Sequence, residues 1–265
     1  MTHPTLAHSA EDPLIVGALH LPDLSVNRDL TLSQLEDFAL SNAEAFLAGG
    51  MRRIMLQDQT RQFGPAVPET IALTAAIGRS LKRAFPQMSL GIIVQAHDAE
   101  APLAIAQAAG ADFVRLKVFV GAAMTFEGAR DPLAVRAVTY RHHLRAADIA
   151  IMADVFDRTS RPMIDVPPAE AAVAAQKYGA DALVLTGSSF GDSLARVAAA
   201  RQAGVTRPIL IGGSVDQDNI VQALAAADGA IVSTSLMSRQ GGLSARWDRD
   251  LVGRLMDTVR ERAPA

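Results

Sequence analysis

Arg115 and Lys117 stand two residues apart in the run FVRLKVF, so strand alternation turns both to one face while Val114, Leu116 and Val118 take the other. If the apolar set meets covering helices, the two cations point inward, where a bare charge is costly unless it is paired or used. Asp154, in IMADVF, is the natural counter-ion of Arg115 in a scaffold ion pair. Lys117 then either reaches the solvent as a bystander to that pair, holds an anionic substrate as a point charge, or attacks a carbonyl to form a Schiff base. A nearby carboxylate opposes the neutral amine that attack requires, so charge binding is the stronger reading.

A second chemical feature is PILIGGSVDQDNI (208–220), in which an apolar run halts at Gly212, Gly213 and Ser214 before a polar helix start near Asp216. Free backbone N–H groups at a helix start can hold phosphate, and glycine lets the backbone approach it closely. The stretch DGAIVSTSL (228–236) offers a complementary set at Ser233, Thr234 and Ser235. The alternative is a plain turn with Ser214 or Asp216 capping the helix. No GxGxxG opens the first half of the chain, so a dinucleotide site is not indicated.

Proton transfer points to His20 in GALHLP and His97 in IVQAHDAEAP, since imidazole is available in both protonation states near neutrality. His97 or Asp98 could instead cap a helix. Gln57, Asp58, Asp157, Thr186 and Gly187 complete the polar set. His20, Asp58, Asp154 and Asp157 carry the N and O donors that a divalent ion takes, but no close motif ties them together, so no metal or cofactor is assigned.

These residues run almost the whole length of the chain, so something must gather them. Alanine-rich segments end at glycine and pass into short apolar runs in FLAGGMRRIML, AQAAGADFVRL and AQKYGADALVLTG, and ALAAADGAIVST repeats the pattern without the first glycine. A left-handed residue at Gly49 or Gly50, Gly110, Gly179 and Gly204 would end a helix there. The resulting strands fall near 14–19, 53–57, 90–94, 113–117, 149–154, 182–186, 208–212 and 229–234. Helices fall near 31–47, 68–84, 99–109, 132–147, 168–177, 192–203, 216–226 and 248–260. Eight evenly spaced strand–helix units without an antiparallel edge predict a single closed (β/α)8 barrel over 13–265. A polar, flexible arm over 1–12 precedes it. Every candidate residue then sits where a strand ends, at one mouth of the barrel.

Composition narrows the function classes. The 265 residues are 49% hydrophobic with a net charge of −3, and neither sign forms a long block, so a nucleic-acid footprint is not expected. There are no cysteines, which excludes disulfides, thiolate nucleophiles and cysteine metal sites. No apolar run approaches the roughly 20 residues that cross a bilayer, so membrane insertion is not expected and a cytoplasmic location is. The alanine-rich outer helices are expected to pack against one another, with a homo-oligomer as the other use of that surface.

The motifs GALHLPDL (17–24), AQAAGADFVRL (106–116) and DGAIVSTSL (228–236), with YRHHLRAADIAIMADVF and ADALVLTGSSFG between them, resemble the BtpA/SgcQ family across nearly the whole chain. The resemblance implies a phosphate-binding (β/α)8 barrel. It also implies a link either to photosystem I biogenesis or stability, or to sugar-metabolism gene groups. The chain departs from the family pattern at Gln57–Asp58 (usually Glu-Asn), Lys117 (usually Asn), Arg158–Thr159 (usually Lys-His) and Ser233 (usually Gly). Beside a small-molecule sensor built on the barrel, two functions follow as expectations. One is an enzyme of aldol-type lyase or isomerase chemistry on a small phosphorylated or anionic carbohydrate-like metabolite, with Lys117 or Arg115 steadying negative charge and His20 and Asp154 moving protons. The other is a non-catalytic biogenesis or stability factor for a photosynthetic membrane complex.

Overall fold

The computed structural model describes residues 2–156, 159–238 and 246–262. Eight parallel strands close into a barrel: β1 (Leu14–His20), β2 (Arg53–Gln57), β3 (Ser89–Ile93), β4 (Phe113–Leu116), β5 (Ala150–Val155), β6 (Ala182–Leu185), β7 (Ile209–Ile211) and β8 (Gly229–Val232). The seam pairs β1 with β8, from Leu14 opposite Gly229 to Gly17 opposite Val232. A helix follows each strand: α1 (Leu32–Ala48), α2 (Pro68–Ala84), α3 (Ala101–Ala109), α4 (Ala134–His143), α5 (Pro168–Lys177), α6 (Phe190–Gln202), α7 (Ile220–Ala226) and α8 (Arg249–Glu261).

Local signals account for the boundaries. Thr31 and Gln34 form a reciprocal capping box that starts α1. Asp98 accepts from the N–H groups of Glu100 and Ala101 at the head of α3, so the capping duty falls to Asp98 rather than His97. Gly50, Gly110, Gly179 and Gly204 all have positive φ, whereas Gly49 is right-handed.

Alternation divides the core into two layers. Inward side chains such as Leu14, Val16, Met55, Phe113, Met152, Val184 and Leu210 fill the barrel, and their neighbours pack outward against the helices. A Cβ on Gly91 would overlap the Phe113 ring, so that glycine makes room for the aromatic plug of the interior. Towards the strand ends the inward residues become polar: His20, Gln57, Arg115, Asp154 and Thr186. The packed interior therefore gives way to a site at that end.

Three features differ from the sequence-based expectation. The arm is present, but Leu6 is 1% exposed and joins the inner core, while Arg53 binds Asp12 and the Ala7 carbonyl, so the segment is docked at the strands' N-terminal end. The expected absence of antiparallel pairing holds for the barrel only. A small antiparallel sheet of Ala123–Thr125, Gly128–Arg130 and Arg161–Pro162 is built from the loops after β4 and β5. Finally, α7 begins at Ile220 rather than near 216, because Asp216 and Asn219 bind their own local backbone first: Asp218 N–H donates to Asp216 Oδ1, and Asp216 N–H to Asn219 Oδ1.

Candidate functional site

A cavity of about 260 Å³ opens at the C-terminal mouth. Its floor is Ala18, Ile93 and Ile231, and its walls carry His20, Gln57, Gln95, Arg115, Lys117, Thr159 and Thr186. Gly212, Gly213, Ser214, Val215, Ser233 and Thr234 complete the rim. The strand-end rule thus brings together most of the expected set. Among the described residues, the charged side chains on this lining are both cations.

Arg115 and Asp154 form the expected pair: Nε donates to Oδ1 at 2.8 Å and Nη2 to Oδ2 at 3.0 Å, with side-chain exposures of 13% and 4%. This two-point geometry fixes the guanidinium plane against the cavity wall. Both Asp154 oxygens are engaged, so Asp154 orients Arg115 rather than standing ready to carry a proton. Lys117 Nζ donates to Gln95 Oε1 at 2.5 Å, which steers the ammonium into the mouth.

Gly212 lies close to this pair. A Cβ there would overlap Thr186 Oγ1, come within 2.5 Å of Val184 Cγ1, and meet Arg115 Nη2 at 3.5 Å. Only a glycine lets the end of β7 lie against those side chains. Ser214 follows with φ of 61°, Val118 has φ of 47° after β4, and Phe156 has φ of 57° after β5. Left-handed backbone in non-glycine residues costs on the order of 1–3 kcal/mol each and concentrates at functional sites. Three of the four described examples cluster at this mouth.

His20 does not keep the two accessible protonation states expected of it. Burial, aided by the positive charges of Arg246 and Arg115, lowers its pKa from 6.5 to about 4, so the imidazole is neutral near pH 7. Trp247 packs edge-on to the ring at 6.0 Å, and Trp247 is itself placed by Asn42, whose Oδ1 accepts from the N–H groups of Arg246 and Trp247. The unfolded chain takes up this proton below pH 6.5 and the native state only below about 4. His20's contribution to stability is therefore complete above 6.5 and is lost as pH falls towards 4, a swing of about 3 kcal/mol. Asp58, whose pKa burial raises, acts in the opposite sense. Urea unfolding at about pH 7.5 and about pH 4.5 should show wild type losing about 3 kcal/mol relative to His20→Gln, whereas an unchanged gap would remove the buried neutral histidine.

Other expected residues lie elsewhere. Asp58 is 2% exposed and ties two loops together, accepting from the N–H groups of Thr60 and Gln95. His97 faces a neighbouring pocket, its Nε2 2.8 Å from the Asp131 carbonyl oxygen, and Gln95 takes the place in the cavity instead. Gly187 N–H binds Ser193 Oγ behind the wall. Ser235 Oγ donates to the Val215 carbonyl, away from the lining, and Ser233 lines the rim but spends its hydroxyl proton on the Ala18 carbonyl at 2.7 Å. Asp157, with Arg158, lies outside the described residues. Of the four suggested metal donors, His20, Asp58 and Asp154 are described, and no group of three or more potential ligands occurs among the described residues. Among those residues no helix is long and apolar enough to cross a membrane.

Sequence reasoning missed Trp247 and Asn42, which no local pattern connects to His20. It also missed the hairpin after β4, whose signal was the unusual length of the stretch between β4 and α4.

Comparison with known proteins agrees with the motifs. A solved tryptophan synthase from Mycobacterium tuberculosis shares the barrel with a TM-score of 0.64 over 95% of this chain and 94% of that chain, at 16% identity. At that identity the likeness concerns the fold alone. Photosystem I biogenesis protein BtpA of Synechocystis sp. is 30% identical over 259 residues, covering 93% of this chain and 88% of that protein. Uncharacterized protein F13E9.13, mitochondrial, of Caenorhabditis elegans is 28% identical over 251 residues, covering 90% and 88%. The BtpA family model matches residues 10–261, the whole barrel with its seam and mouth, and the chain therefore belongs to the BtpA family.

Proposed function

We propose that the mouth binds a small phosphorylated or otherwise anionic, carbohydrate-like metabolite. The observation that carries this reading is the lining itself, in which Lys117 and the braced Arg115 face a cavity rimmed by Gly212–Ser214 and Ser233–Thr234. Loops after the seventh and eighth strands are where (β/α)8 enzymes commonly seat phosphate. Here the seat would be made of loop backbone and Thr234 more than of serine hydroxyls, since Ser233 is already committed to Ala18. The chemistry that fits is of the aldol-type lyase or isomerase kind. Lys117 and Arg115 would steady a developing oxyanion, and neutral His20 would polarise a carbonyl by hydrogen bonding.

Lys117→Met tests the reading. Loss of one charge-assisted hydrogen bond predicts about 10- to 100-fold weaker binding of fructose 6-phosphate by calorimetry, with the melting temperature unchanged. Full affinity in the variant would remove Lys117 from the site. Borohydride reduction with the same keto sugar separates the roles further, because added mass at Lys117 marks an imine and its absence leaves the electrostatic role.

A second reading, a non-catalytic assembly or stability factor for a photosynthetic membrane complex, draws on the relative named for photosystem I biogenesis. The comparisons favour it over catalysis, because that relative is 30% identical whereas the enzyme with the same fold is 16% identical. The loops at the mouth also expose apolar side chains suited to a partner, notably Phe63, Phe126 and Met163. The two readings are compatible if ligand binding regulates the partner. Complementation of a Synechocystis strain lacking its BtpA distinguishes them: rescue by both wild type and Lys117→Met supports assembly without the ligand, and rescue by neither leaves the metabolite reading.

A further inference from the structure

The cavity at the mouth adjoins a second one of about 280 Å³, and the two share Gln95, Lys117 and Thr159. The Lys117–Gln95 hydrogen bond stands at their junction. Neither space alone reaches the roughly 300 Å³ at which small-molecule sites begin, whereas together they fall within the usual range.

The second cavity has its own chemistry. Gln59 and the shared Gln95 bring amides of the kind that read sugar hydroxyls, whereas Gln62 is already engaged with Thr70 Oγ1 and the Val67 N–H, and the Thr125 hydroxyl with Gly128 and Glu127. Arg61 and Arg130 add cationic forks. Arg130 is 14% exposed and spends one nitrogen on Glu127 at 2.5 Å, which fixes its plane while leaving other N–H groups in the fork. Arg61 is 84% exposed and only loosely associated with Asp23 at 3.7 Å. Two arginine forks thus stand side by side on this lining, each held by one carboxylate contact, Arg61 by Asp23 and Arg130 by Glu127. Each fork has five N–H donors, more than one carboxylate contact uses, and an acidic group is the ligand that takes two such donors at once.

The small antiparallel sheet explains how this wall is held. Arg130 and Ala123 are cross-strand partners, and the Thr125 hydroxyl donates to the Gly128 carbonyl across the turn. The strand Arg161–Pro162 braces the hairpin from the loop after β5. Arg130 is thus presented from paired strands rather than from a loose loop.

We propose that the two cavities form one bipartite site for an elongated polyhydroxylated ligand carrying an acidic group at each end, a sugar bisphosphate or a phosphorylated sugar acid. One acidic group lies at the Gly212–Ser214 and Ser233–Thr234 rim, the carbon chain passes Lys117 and Gln95, and the second group meets Arg61 and Arg130. This inference rests on the reading of the mouth as an anion-binding site.

Calorimetry on the full chain with fructose 6-phosphate and fructose 1,6-bisphosphate tests it. Wild type is expected to bind the bisphosphate at least about tenfold more tightly, the scale of one added charge-assisted contact. Arg61→Gln combined with Arg130→Gln is expected to lower bisphosphate affinity to the wild-type monophosphate level. Arg61→Gln alone, a change at an exposed side chain, should remove part of the gain even if the double variant folds poorly. Equal affinity for both probes in wild type overturns the second subsite and leaves the mouth reading intact. A bisphosphate advantage that survives in the folded double variant also overturns it. Binding of neither probe overturns the mouth reading itself, and the bipartite site with it.

Discussion

Asp154→Ala is expected to cost about 3–5 kcal/mol of stability, because it leaves the Arg115 guanidinium buried without its counter-charge. Asp154 is 3% exposed and accepts two hydrogen bonds from Arg115, so little water can replace it. The loss should appear as a lower urea midpoint with an unchanged slope. Removing both partners, as Arg115→Met with Asp154→Leu, should recover much of it, since a well-packed apolar pair of similar volume often equals a buried ion pair. The double variant would still fail to bind an anion, which separates the structural worth of the pair from its role at the mouth. A single-variant loss below about 1 kcal/mol would mean that the pair is screened like a surface bridge.

Gly212→Ala should have a large functional effect for a single added methyl. The new Cβ would overlap Thr186 Oγ1 and crowd Val184, and Val184 cannot retreat because it is packed in the inner core at 1% exposure. The end of β7 must therefore move outward, carrying Gly213 and Ser214 with it and loosening the position of Arg115. Overpacking of this kind costs about 1–3 kcal/mol, and the displaced rim should weaken fructose 6-phosphate binding by about 100-fold or more. Gly253→Ala is the control, since that glycine lies in α8 with nothing within 4 Å of an added Cβ. It should leave binding unchanged and raise stability by up to about 1 kcal/mol. Wild-type affinity in Gly212→Ala would show that the rim of β7 takes no part in the site.

The neutral state of His20 narrows the chemistry open to this mouth. A histidine with a pKa of about 4 is a weak base at neutral pH, yet it remains a good hydrogen-bond donor to a carbonyl or enolate oxygen. With Asp154 committed to Arg115 through both oxygens, it does not add a second proton carrier to the described lining. This explains why the geometry supports anion binding more strongly than it supports a particular turnover.

Much of this was legible in the sequence because its signals are local. Strand alternation repeats every two residues, so FVRLKVF alone placed Arg115 and Lys117 on the inner face, and the position of each strand end placed Gln57, Thr186 and Gly212 at one mouth. The terminating glycines marked the helix ends for the same reason, since a left-handed residue is a property of one position. The Arg115–Asp154 pair followed from adjacency of consecutive barrel strands.

What only tertiary structure decided begins where the strands end. Beyond that point a side chain's direction depends on the path of its loop, and that path is set by contacts with distant segments. His97 and Gln95 are two residues apart, and the fold chose Gln95 because the loop turns His97 towards the Asp131 carbonyl. Asp58 became a buried clamp, Ser233 was taken by the barrel seam, and the hairpin bearing Arg130 acquired a partner strand from the next loop. The protonation state of His20 was least accessible of all. It is governed by burial and by Arg246, brought with Trp247 from the far end of the chain, and no spacing within GALHLP could report either.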